Sequence, residues 1–275
     1  SSTYGLNYIP GPWLEGIGIS KGTASVTQGY ESITGQINID VKKPESKEKF
    51  YFEYFTNDFL KQEINVNTAF RINKYLESIA LVHAAKIFMK TDRNNDNFLD
   101  VPLSNLLIGS NRYFFNYKEK IKSRFGVDVL YEDRIAGDKR FDKDRDFNTT
   151  NYYGAVLNSR RIQVFENTGF LLNSEKNRSF AVNGNLVYHQ LESQFGLREY
   201  NPKQLSGNLA LILNSDLWND KNKLSLGLGS SYDELKENLS NKNYIIGQPL
   251  DKEELVLGAY AEYTFSDRKK WTFIT

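Results

Sequence analysis

"ELVLGAYAEYTF", from Glu254 to Phe265, alternates without a break. On an extended chain Leu255, Leu257, Ala259, Ala261, Tyr263 and Phe265 share one side, and Val256, Gly258, Tyr260, Glu262 and Thr264 share the other. The first side is apolar throughout; the second mixes small, polar and charged groups. Upstream stretches repeat the pattern. In "KLSLGLGSSY" Leu224, Leu226 and Leu228 oppose Ser225, Gly227 and Gly229. In "FGVDVLYE" Phe125, Val127, Val129 and Tyr131 oppose Gly126, Asp128, Leu130 and Glu132. From about Phe50 onward the dominant period is two rather than 3.6, which predicts strands.

Working outward, the alternation predicts strands near 49–57, 61–72, 76–90, 105–118, 121–134, 151–172, 178–195, 204–218, 223–235 and 254–265, with another beginning at Lys270. Most exceed the roughly 5–6 residues of an ordinary globular strand and reach the roughly 9–11 that cross a bilayer. The connections alternate in length. "INKY", "YKEK", "SEKNR", "NDKN" and "SDRK" are short, whereas 91–104, 135–150 and 236–253 are long. A tight turn near Asp58 and the modest "GLREYNPKQ" fall on the long-loop side. Aromatic residues gather near strand ends, as at Tyr113, Phe114, Phe115, Tyr117, Tyr152, Tyr153 and Trp271.

A soluble antiparallel sandwich also alternates. Strand length, loops of two sizes on two sides, and aromatic girdles instead favour a transmembrane antiparallel β-barrel, whose lining is polar. Low overall hydropathy therefore does not count against it. The predicted fold class is all-β.

The chain has 275 residues, a net charge of +1 and no cysteine. That excludes a disulfide framework, a thiolate metal site and a cysteine nucleophile. The balanced charge gives no basic footprint for nucleic acid. No apolar run reaches the length of a spanning helix. The opening "SSTYGLNYIPGPW" carries no signal-peptide pattern and no initiating Met, and "KKWTFIT" stops inside a predicted strand. The expectation is a piece of a longer chain.

The first 47 residues have another texture. "LEGIGISKGTASVTQGYESITGQINIDVKKP" combines Glu15, Ile17–Ile19, Lys21-Gly22, Ser25-Val26, Gly29-Tyr30, Gly35, Ile37-Asn38-Ile39 and Lys42-Lys43-Pro44. This combination resembles the end of the plug domain of TonB-dependent outer-membrane receptors, and the flanking "YIPGPW" fits the version common in Bacteroidetes receptors. "VYHQLESQFGLREYNPKQ" and "GAYAEYTF" look similar to the same family's first barrel half. Glycine would let a folded plug press closely against the wall around it. The resemblance implies residues 1–47 as the C-terminal part of the plug and 48–275 as the N-terminal half of the barrel. Since about 22 strands enclose a plugged lumen, this chain holds about half of one. The implied function is TonB-dependent uptake, across the bacterial outer membrane, of a scarce nutrient such as an iron–siderophore complex or cobalamin. The TonB-contacting segment would lie upstream, and the partners would be TonB, outer-membrane lipids and the small-molecule nutrient. The alternatives are a passive porin-like channel and a soluble β-sandwich binding module.

The family usually has Arg before Gly where Lys21 stands, pairing with a wall Glu for which Glu262 is the candidate; Lys loses the bidentate fork. "DRNNDNFLD" sets Asp92, Asn94, Asp96 and Asp100 at alternate positions, with the Phe98 carbonyl among them. That is the start of an oxygen-ligand Ca2+ loop. Asn97 replaces the turn glycine and Leu103 stands where a bidentate Glu belongs, so a solvated acidic loop is the competing reading. His83 and His189 lie on different strands and read as packed or interfacial histidines rather than a haem or zinc site. No nucleophile–base arrangement is present, and no enzymatic activity is expected.

Overall fold

The computed structural model describes residues 8–22, 35–45, 48–175, 177–241, 251–267 and 271–275. Among them there is no α-helix. A short 3-10 turn, Gly11–Trp13, leads into a hairpin of β1 (Leu14–Lys21) and β2 (Gly35–Val41). The predicted motif residues Ser25-Val26 and Gly29-Tyr30 lie outside the described residues, as does Lys270.

The remaining strands form one open antiparallel sheet: β3 (Phe50–Thr56), β4 (Gln62–Asn73), β5 (Leu76–Ile87), β6 (Leu103–Tyr117), β7 (Ile121–Gly137), β8 (Gly154–Asn173), β9 (Arg178–Phe195), β10 (Arg198–Tyr200), β11 (Lys203–Asp216), β12 (Asn222–Lys236), β13 (Leu239–Asn241), β14 (Lys252–Ser266) and β15 (Thr272–Ile274). Neighbours in sequence are neighbours in space, in the order β15-β14-β12-β11-β9-β8-β7-β6-β5-β4-β3, with β10 pairing to the end of β9 and β13 pairing to β10. Such a meander is the up-and-down wall of a barrel, here not closed on itself. The strand bounds follow the alternation within a few residues. The sequence reading missed β10 and β13, which turn the predicted loops 196–204 and 236–253 into a small sheet extension.

Register settles what each face meets. Val127 pairs with Val164, Val164 with Leu186, and Leu186 with Gly207, so an apolar row crosses β7 to β11 on one side. That row is open to the surroundings: Val164 is 47% exposed, Leu186 49%, and farther along Leu257 is 73%. In a soluble sandwich this face would be the interior. Water contact would cost about 25 cal/mol for each Å² of it, whereas lipid tails carry no such cost. The opposite face runs Asp128–Gln163–Val187–Ser206–Asp233–Glu254 across the same strands and on to β14.

The compact core sits on that second, polar face. Trp13 packs with Ala69, Ile79, Leu81, Ile108 and Leu130, joined by Tyr8, Val41, Leu106 and Phe114. Pairing Ala69 with Ile79, and Ile108 with Leu130, sets these side chains together beneath the indole. The N-terminal piece thus docks on the face an ordinary sandwich would turn to water. Gly227 serves a related purpose: a Cβ there would lie 2.0 Å from the Tyr260 ring, which covers it from the adjacent strand.

At the short-turn side Tyr75 and Tyr117 meet edge-on at 5.0 Å, Phe170 stacks on Phe180 at 6.3 Å, and Trp218 and Trp271 are exposed. These are the positions of an interfacial girdle.

Candidate functional site

Two regions combine side chains distant in sequence. The first is the contact between the N-terminal piece and the sheet. The Tyr8 hydroxyl donates to Glu132 Oε2 at 2.7 Å, and Asn67 Nδ2 donates to the Pro12 carbonyl at 3.3 Å. Glu132 is buried and also accepts from Arg134. On the same face Ser110 donates to Asp128, and Arg112 lies 3.7 Å from Asp128 with its guanidinium over the Phe165 ring. Buried His83 bonds Asn65 Oδ1 at 2.8 Å through Nδ1, and His189 Nε2 lies 3.0 Å from Ser159 Oγ. His83 is a packed residue, and His189 is half-buried.

Lys21 is the last residue of β1, opposite Gly35, while Glu262 on β14 pairs with Ser225 and lies on the polar face. The ion pairs formed between described residues do not join these two, and Glu262 has other contacts.

The second region is the long-loop end, where loops from five hairpins are knitted together. Arg93 pairs with Asp58 at 2.9 Å and stacks on Phe59. Its guanidinium holds the Asp58 carboxyl below the ordinary carboxylate value. Phe98 bridges to Asp138, and Leu99 N–H donates to the Gly137 carbonyl. Arg140 grips Asp138 through Nε at 2.9 Å and Nη2 at 2.6 Å, which lowers that carboxyl to about 2. Arg145 holds fully buried Asp146 likewise, also at about 2, and both arginines lie over Tyr152. Asn148 then reaches Glu199.

Asp92, Asn94, Asp96 and Asp100 do share one turn, with Asn95 and Asn97 in the left-handed region. Their oxygens, however, serve the turn itself. Asp92 accepts from the Asp96 and Asn97 amides, Asp96 from the Phe98 amide, and Asp100 from the Arg93 amide. Lys139 Nζ sits 2.6 Å from Asp92 and lowers its pKa. Among the described residues no three acidic or histidine side chains converge to hold a metal ion. The alternate spacing here builds a self-capped loop in which the Lys139 ammonium sits against Asp92.

Sequence reasoning did not single out Tyr8, Glu132, Trp13 or the Asp–Arg pairs of the 138–153 loop. The "YIPGPW" stretch was the one available signal for the first contact.

No protein-family model matches the chain, and neither does any curated protein. Solved structures do. The alcaligin outer-membrane receptor FauA from Bordetella pertussis superposes with a TM-score of 0.74 at 10% identity, over 98% of this chain and 42% of that one. P. aeruginosa FpvA, solved bound to heterologous pyoverdine in an Fe complex, gives 0.74 at 13% identity, over 100% of this chain and 43% of that one. The FpvAI–pyocin S2 complex gives 0.69 at 14% identity, over 91% and 40%. The chain spans about two-fifths of the length of these structures. At such identities the likeness shows the fold: a partial barrel wall of the kind these receptors have.

Proposed function

We propose that this chain is part of a TonB-dependent outer-membrane receptor that takes up an iron–siderophore complex. Residues 1–47 are the end of its plug and 48–275 the first half of its barrel wall; the "YIPGPW" opening fits the Bacteroidetes version. The observation that carries the reading is the docking of Trp13 and Tyr8 on the polar face of the sheet while the apolar face stays open. A polar face holding a folded N-terminal piece suits a plugged lumen, and an open apolar face suits lipid. A passive porin-like channel has no use for such a plug, and a sandwich module would bury the Val164–Leu186 row.

The cargo assignment draws on the kind of protein this chain resembles, one of which was solved with pyoverdine and iron. The knitted long loops supply a platform above the plug where a metal chelate can be caught. TonB, energised by the proton-motive force, would act through a segment outside this chain. The chain's role is transport rather than catalysis. Uptake of radio-iron presented as siderophore, in iron-starved cells with and without the gene, tests this directly. Uptake should require the gene, TonB and a proton gradient. Identical uptake without the gene would contradict it.

A further inference from the structure

A cavity of about 790 Å³ opens at the long-loop end between β8, β9 and the bend where β10 meets β11. Its strand lining is mostly outward. Val156 pairs with Gln194 and lies in step with Ile162 and Val164 on the outward side of β8, and Lys203 pairs with Gln190 on the same side. Most of its strand lining therefore lies across the sheet from the polar face where Trp13 docks, with Leu191 and Ser193 reaching it from the β9 positions between. A ligand reaching it comes from the space around the wall, just beyond the apolar belt.

Its chemistry is polar and built. Gln194 lines it, is 2% exposed, and donates through Nε2 to the Gly196 carbonyl at 2.7 Å. Its Oε1 is buried and accepts nothing. A buried acceptor without a donor is costly unless something arrives to donate to it. Around it stand the carboxylates of Glu192, Glu199, Glu237 and Asp251 against the ammonium groups of Lys203 and Lys236. That excess of carboxylate repels phosphate and other anions. Phe147, 48% exposed, offers an apolar face at the edge.

Acceptors in excess, some donors and one aromatic face together suit a ligand with many hydroxyl groups. Hydroxyls donate to carboxylate and amide oxygens and accept from lysine and amide N–H groups, while the C–H face of a sugar ring can lie against Phe147. We infer that this outward cavity binds a neutral saccharide, separately from any cargo taken through the lumen. Two sources share that chemistry: a free oligosaccharide, or the sugar portion of a lipid-anchored glycan at the cell surface.

Calorimetric titration of the detergent-solubilised whole receptor with maltotriose, and separately with a lipid-free O-antigen polysaccharide built of neutral sugars, tests the inference. Saturable heat with maltotriose assigns a free source, and heat with the O-antigen polysaccharide alone assigns the surface glycan. Gln194→Leu should weaken binding at least ten-fold, and so should Phe147→Ala, whose side chain is half exposed and whose loss spares the fold. Absence of heat with both probes overturns the inference, as does undiminished binding in Phe147→Ala. Neither readout depends on iron uptake.

Discussion

The Tyr8 hydroxyl and the Glu132 carboxylate, 124 residues apart, are joined by a 2.7 Å hydrogen bond that ties the N-terminal piece to β7. Glu132 also takes Arg134, so one buried carboxylate serves both. Tyr8→Phe should cost about 1 kcal/mol, the net worth of one hydrogen bond. Hydrogen exchange in β1 and β2 should then quicken about five-fold, with β7 unchanged. Unaltered exchange in the hairpin would show that the bond does not hold the piece in place.

Trp13 is the larger anchor. It is 5% exposed and shares one buried cluster with residues of β4, β5, β6 and β7. Trp13→Ala should cost about 3–5 kcal/mol by lost burial and the void left behind. Limited proteolysis should cut the N-terminal piece first, leaving the sheet protected. Simultaneous digestion of both would mean that the sheet depends on the piece as much as the reverse.

The apolar face makes a different prediction. Leu186→Arg places a charge at a central outward position and should destabilise the lipid-inserted form by about 2–4 kcal/mol. Urea titration in vesicles measures it. Val187→Arg, one residue along and on the polar face, should cost far less.

How far these contacts could be read beforehand differs by element. Strand bounds and the two loop sizes were legible because a period of two is a local property. β10 and β13 were not: "REY" and "LSN" are three residues each, and they exist because β9 runs past β11 and offers β10 a ladder, on which β13 then pairs. The Trp13 pocket was hidden because its walls, from Ala69 to Leu130, meet only once register is fixed. The partner of the acidic loop was hidden for a similar reason. Asp92 is satisfied by Lys139, 47 residues on, which no local motif reveals.

That loop should therefore keep its shape without metal. Calcium titration should give no binding heat, and EDTA should leave its protease protection unchanged. Saturation near one equivalent of calcium would show that a cation displaces Lys139.

The 138–153 loop should respond to acid. Asp138 and Asp146 fall from the ordinary 3.8 to about 2 because Arg140 and Arg145 bond their carboxylates. A depressed carboxylate contributes stability above its unfolded value and loses it as pH drops through the folded one. Loop protection should hold from neutrality to about pH 4 and fade toward pH 2. Arg140→Gln should move the onset upward, which pH-resolved proteolysis would register.

Spin labels on single cysteines, introduced one at a time from Ile162 to Phe165, test the central claim most directly, since the chain has no cysteine of its own. Collision with oxygen, which concentrates in lipid, should peak at 162 and 164, and collision with a water-soluble nickel complex should peak at neither. Labels at 163 and 165 should be shielded from oxygen, on the face where the N-terminal piece docks. Oxygen access without that two-residue rhythm, or with its phase reversed, would contradict a wall with lipid on one side and a plugged interior on the other.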